Sequence, residues 1–120
     1  NGLGALVDAN MQRWFTEGFR ASAQEPLERM KQMFVATKVP GYVGCCQAIM
    51  AMDFRASNAS IAAPTLVIVG SKDAATPPAA GEAIQKAIKG AKIASLDAAH
   101  ISNVEQPKPY TETVLNFLLG

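Results

Sequence analysis

A layered α/β fold with parallel strands, entered through a run of helices, is the architecture this 120-residue sequence predicts. Three observations point to it. Thr65-Leu66-Val67-Ile68-Val69 is a short continuous apolar run, rich in β-branched residues and closed by Gly70, as expected for a strand buried on both faces of a parallel sheet. A helical pattern and a second strand over Lys92–Leu96 follow it, completing a βαβ unit. Upstream, apolar residues recur at helical spacing.

Taken in order, Leu3 to Phe15 carries Leu6, Val7, Met11, Trp14 and Phe15 and reads as a helix ending near Gly18. Pro26 suits the first turn of the next helix, whose inner face is Leu27, Met30, Phe34 and Thr37, with Glu28, Lys31 and Gln32 off that face. After Pro40 and Gly41, Tyr42 to Met52 is apolar on nearly every side, which predicts a helix packed between layers, although Gly44 disfavours a helix interior. The character changes at Ala63-Pro64. Beyond the first strand, Thr76 and Pro77 are a plausible helix start, Ile84, Ala87 and Ile88 its inner face, and Gly90 its end. Ser102 and Glu105 are spaced as a capping box, and Tyr110, Val114, Phe117 and Leu118 lie on one face of a terminal helix.

The composition is 49% hydrophobic and 18% charged, below the roughly 25% charge usual in soluble domains, so an unusually large share of the chain requires cover. Eleven Lys and Arg against ten Asp and Glu leave a net charge of +1, and the basic residues are scattered. That removes the electrostatic basis for strong nucleic-acid binding. No apolar run approaches the roughly 18 residues of a membrane span, and the start NGLGALVDAN carries no signal-peptide pattern, so a cytoplasmic protein without membrane partners is expected. Cys45 and Cys46 are adjacent, which makes a loop-closing disulfide between them implausible and fits a reducing compartment. A single histidine and no paired cysteine spacing argue against a zinc site, and no cofactor is expected.

The polar residues that remain lie where a parallel sheet places its chemistry, beyond the carboxyl ends of its strands. Asp73 is four residues past Val69 and His100 four past Leu96, so adjacent strands would bring them together. A carboxylate that accepts the imidazole Nδ1 proton fixes the tautomer and leaves Nε2 free to take a proton from a nucleophile. Alone, Asp73 would be read as a turn former and His100 as a packing residue; their matched positions in Asp-then-His order favour a catalytic pair. Asp97 is the second-ranked carboxylate. The third member is missing: no serine has the Gly-x-Ser-x-Gly context of a strand-to-helix elbow. Gly44-Cys45-Cys46-Gln47-Ala48 imitates it only in part, because no strand leads into Gly44 and a hydrophobic helix accounts for both cysteines.

Pro64 to Asp73, Thr76-Pro77-Pro78, the stretch from Asp97 to Pro107 and Arg13-Trp14-Phe15-Thr16 together resemble the carboxyl-terminal part of the 3-oxoadipate enol-lactonases, α/β-hydrolases of bacterial aromatic catabolism. The resemblance covers essentially the whole chain. It implies that residues 1–60 are the later part of a helical cap with its return to the main domain, and that residues 61–120 end the catalytic fold. It also implies Asp73 as triad acid, His100 as general base, a small-molecule lactone substrate, and a serine nucleophile on an amino-terminal half outside this sequence. Because the substrate carries a carboxylate, Arg13 beside Trp14 is the candidate for binding it. Such a chain is expected to need that missing half or a second copy of itself, and to be inactive alone. An esterase-like α/β-hydrolase and a non-catalytic self-associating module are the competing expectations.

Overall fold

From the amino terminus, the computed structural model, which describes residues 2–120, begins with a 3-10 turn (Gly4–Leu6) and four helices. These are α1 (Val7–Trp14), α2 (Glu17–Ser22), α3 (Gln24–Ala36) and α4 (Val39–Ala51). A second 3-10 turn (Asn58–Ser60) leads to β1 (Leu66–Gly70), α5 (Pro78–Ala87), β2 (Lys92–Leu96), α6 (Ser102–Glu105) and α7 (Pro107–Leu119). The strands are parallel, with Leu66 opposite Lys92 and Gly70 opposite Leu96, so their carboxyl ends finish at the same rim.

The expected βαβ unit is present, and its packing explains two glycines. A Cβ on Gly70 would fall 2.1 Å from the carbonyl oxygen of Ala99 and 2.5 Å from that of Ala98, so only glycine lets the loop after β2 cross the end of β1 this closely. A Cβ on Gly81 would fall 2.2 Å from Cγ1 of Val69, which sets how closely α5 lies on the sheet. β1 is half-buried along Leu66–Val69 rather than covered on both faces, and among the described residues its sheet has only two strands.

Several boundaries depart from the sequence expectations, each for a local reason. The first helix ends at Trp14, Phe15 is extended, and the Thr16 hydroxyl accepts the Phe19 N–H at 3.3 Å to start α2, which contains Gly18 instead of stopping there. α3 keeps Pro26 in its first turn and buries Leu27 and Phe34, while Thr37 lies beyond its end and is exposed. α5 starts at Pro78, since the Thr76 side chain is engaged elsewhere. Ile84 of its expected inner face is exposed, whereas Ile88 just past its end is buried. Ser102 and Glu105 form no capping box: Ser102 lies inside α6, and the Glu105 carboxylate is turned to other donors. Leu118 is exposed on α7, leaving Tyr110, Thr113, Val114 and Phe117 as its inner positions.

The largest departure is α4. It is apolar on nearly every side as expected, yet it buries no residue; Ile49 is 63% and Met50 86% exposed. The core lies elsewhere, where Met11, Phe15 and Leu27 pack with Trp14, Phe19 and Met30 and, from the second half, with Ile101 and Val104. The molecule as a whole is open. Its accessible surface is 8223 Å², about 2,000 Å² more than a compact monomer of this mass would expose. Its Cα radius of gyration is 16.0 Å, against about 13.6 Å for a compact domain of this length. No described helix is long and apolar enough to cross a membrane.

Candidate active site

The matched strand ends deliver Asp73 and His100 to the same rim. Asp73 Oδ2 lies 2.8 Å from His100 Nδ1, with the carboxylate side chain 7% and the imidazole 32% exposed. The two carboxylate oxygens divide their work. Oδ1 accepts the backbone N–H groups of Ala75 at 2.7 Å and Thr76 at 2.9 Å, the turn-forming role expected of aspartate in such a loop. Oδ2 accepts the Thr76 hydroxyl at 2.8 Å and faces the imidazole. The turn-forming and imidazole-holding readings of Asp73 are therefore compatible, one on each oxygen. Burial opposes its ionisation, but the Thr76 N–H, His100, the Thr76 hydroxyl and the Ala75 N–H together hold its carboxyl below the usual carboxylate range.

An ionised Asp73 accepts and does not donate, so the Nδ1 atom facing it carries the proton. Nε2 is then the basic nitrogen, and it makes no hydrogen bond to any described residue. His100 lines a cleft of about 310 Å³ together with Asp73, Thr76, Gly70 and the flank of β1. A larger hollow of about 580 Å³, between α3 and the loop at Ile101, does not include the imidazole. The Asp73–His100 pair lies on the smaller one.

The other candidates separate. Asp97 pairs with Lys72 at 2.7 Å, with both side chains exposed, while His100 Nδ1 faces Asp73 instead. Arg13 is exposed on α1, and Trp14 is half-buried with its ring edge-on to Phe34 at 5.5 Å; neither lines the cleft beside His100. Cys46 lies within α4, away from any strand end. Among the described residues, no group of three or more His, Cys, Asp or Glu could hold a metal ion.

Two residues at this site escaped sequence reasoning. Thr76 touches both partners, its hydroxyl also lying 3.2 Å from His100 Nδ1. Glu105 accepts the Ala99 N–H at 2.9 Å, next to His100 in the chain. Both fit local helix-start patterns in the sequence. The residual signal for Thr76 was its position three residues after Asp73, within reach of an aspartate-centred turn.

An acid and an imidazole held by the carboxyl ends of two adjacent parallel strands, with a helix crossing between them, give this chain the architecture of the carboxyl-terminal part of an α/β-hydrolase. Solved structures agree: it superposes on the esterase from Thermogutta terrifontis with a TM-score of 0.85 at 28% identity, over 96% of this chain and 43% of that one. The match is closer to enol-lactonases. The enol-lactonase from Burkholderia xenovorans LB400 gives a TM-score of 0.96 at 41% identity, over 98% of this chain and 45% of that one. Among curated sequences, 3-oxoadipate enol-lactonase 1 of Acinetobacter baylyi is 35% identical over 98% of the chain and 44% of its own length. The chain thus resembles the 3-oxoadipate enol-lactonases, and it spans less than half the length of the curated relatives it matches. No protein-family model matches the sequence.

Proposed function

We propose that this chain carries the acid and general base of a serine hydrolase that opens 3-oxoadipate enol-lactone to 3-oxoadipate, with the serine on a polypeptide segment outside these 120 residues. The 2.8 Å contact between Asp73 Oδ2 and His100 Nδ1 carries the proposal, because it leaves Nε2 as the proton acceptor. In this reading residues 1–60 are part of a helical cap and residues 61–120 the end of the catalytic domain. The surface excess of about 2,000 Å² supports completion by further polypeptide, since large permanent interfaces bury that much or more.

The steps follow from those positions. The serine hydroxyl adds to the lactone carbonyl while His100 Nε2 takes its proton, and backbone N–H groups hold the tetrahedral oxyanion. Asp73 stabilises the imidazolium through Nδ1. Collapse breaks the ring C–O bond; the enol oxygen leaves with the proton returned by His100, and the enol tautomerises to the ketone. Neutral His100 then removes a proton from water, hydroxide attacks the acyl-serine, and the serine oxygen leaves reprotonated as the carboxylate is released.

In the complete polypeptide, His100→Ala is expected to lower kcat for the enol-lactone by at least about 10³-fold, while the 120-residue chain alone shows no turnover. Lactone hydrolysis insensitive to His100 would overturn the assignment. Hydrolysis of simple esters with no action on the enol-lactone would instead favour the esterase reading, which the structural match to the Thermogutta terrifontis esterase keeps in view. Arg13 has its own assay: a KM raised several-fold by Arg13→Ala supports carboxylate binding, and an unchanged KM removes it.

A further inference from the structure

His100 is the only histidine of the chain, and its backbone neighbours on both sides are tied to the same distant segment. On one side the Ala99 N–H donates to Glu105 Oε2 at 2.9 Å. That carboxylate also accepts the Thr16 N–H at 3.3 and 3.4 Å and the Thr16 hydroxyl. On the other side the Ile101 N–H donates to the carbonyl oxygen of Trp14 at 3.1 Å. Between the two anchoring residues sits Phe15, 1% exposed and stacked on Phe19 at 5.0 Å. The junction between α1 and α2 therefore grips the His100 loop immediately before and after the imidazole, and Glu105 is the side chain that closes one half of the grip.

From this we infer that Glu105 is a positioning residue, which holds His100 at Asp73 by fastening the Ala99 backbone to Thr16 of the helical segment. The Glu105 carboxylate is hydrogen-bonded to Thr16 and the Ala99 N–H and not to His100 itself, so it acts through the loop. Removing the carboxylate frees the Ala99 N–H and lets the imidazole drift from its partner. An error in placement of that kind is expected to lower turnover without weakening substrate binding. Thr16 belongs to the same unit, so damage to either end should be shared damage.

The kinetic part of this inference rests on the proposed role of His100 as general base, and the test has an arm that does not. In the complete polypeptide, Glu105→Ala is expected to lower kcat about 10²-fold with KM within about twofold, and Glu105→Gln, which retains an acceptor oxygen, to recover most of that loss. Thr16→Val added to Glu105→Ala should cost little more than Glu105→Ala alone. Independently of any reaction, the low-field proton resonance of His100 Nδ1–H, assigned by its loss in His100→Gln, should move or broaden in Glu105→Ala and stay in place in Glu105→Gln. If Glu105→Ala leaves both the resonance and kcat unchanged, or if the Thr16 and Glu105 losses simply add, the inference is overturned. A wild-type enzyme without lactonase activity would refute the proposed function, while the resonance would still decide the role of Glu105.

Discussion

α3 and α4 are both 13-residue helices, and they end in opposite environments. α3 alternates charge with apolar residues at helical spacing, so one face enters the interior through Leu27 and Phe34 while Glu28 and Gln32 stay exposed. α4 has no charged residue between Val39 and Ala51, and it has no buried one either. Amphipathic spacing specifies a face and hence cover from one side, which α1 and the His100 loop provide. All-round apolarity specifies cover from every side, which requires more surface than this chain brings to α4. The Asp73–His100 pair belongs to the first kind of region: neighbouring strands, Gly70 and the grip of α1 and α2 on the loop already define it. The comparison separates what the 120 residues define by their own packing from what they leave uncovered.

The largest expected effect tests the self-sufficient region. In the complete polypeptide, Asp73→Asn should lower kcat about 10⁴-fold, because an amide cannot hold the imidazolium or enforce the same tautomer; steady-state assay of lactone hydrolysis checks it. The same carboxyl predicts an acid limit. Its folded pKa is depressed, so its contribution to stability is fully present above the ordinary aspartate value of about 3.9 and is lost as pH falls through the lower folded value. Denaturant titrations at successive pH values should show that loss below about pH 4 in the wild type and a smaller one in Asp73→Asn.

Next come two glycine substitutions expected to have opposite signs in the two regions. Gly70→Ala drives a methyl group into the carbonyl oxygens of Ala98 and Ala99 and should destabilise the chain by about 1–3 kcal/mol or more. Gly44→Ala, in the middle of α4 with nothing within 4 Å of the added methyl group, should stabilise the 120-residue chain by up to about 1 kcal/mol through helix propensity. Chemical denaturation reads both. Repeating Gly44→Ala in the complete polypeptide sharpens the contrast: a change of sign there would show that further polypeptide packs on this flank of α4.

The sequence revealed most where local pattern and tertiary role coincide. The β-branched run before Gly70 and the equal offsets of Asp73 and His100 from their strands were enough to place both strands and the polar pair, because parallel register converts equal offsets into proximity. It revealed least where a residue satisfied a local motif and was used for a distant one. Ser102 and Glu105 have capping-box spacing, but the Glu105 carboxylate bridges to Thr16, 89 residues away, and no short-range rule weighs such a partner. Thr76 is a plausible helix start whose hydroxyl serves Asp73 instead. The six-residue α2 was hidden for a different reason, since Gly18 reads as a terminator and only the Thr16 cap and the stacking of Phe19 on Phe15 outweigh it.

The smallest expected effect sharpens the comparison within the site itself, between two carboxylates that sequence position could not fully separate. Asp97 and Asp73 both lie just past a strand, and both are held below the usual carboxylate range, but for different reasons. For Asp97 the cause is the hydrogen bond and charge of Lys72, at the surface and open to water and salt. For Asp73 it is a set of four donors in a loop that excludes most solvent. Exposed ion pairs contribute little, so Asp97→Asn should leave kcat within about twofold of wild type and the denaturation midpoint unchanged, at low and at physiological salt alike. A large loss of turnover in Asp97→Asn would make Asp97 the acid, or a second support of His100, and would remove the distinction between a buried carboxylate that orients an imidazole and an exposed one that only pairs with lysine.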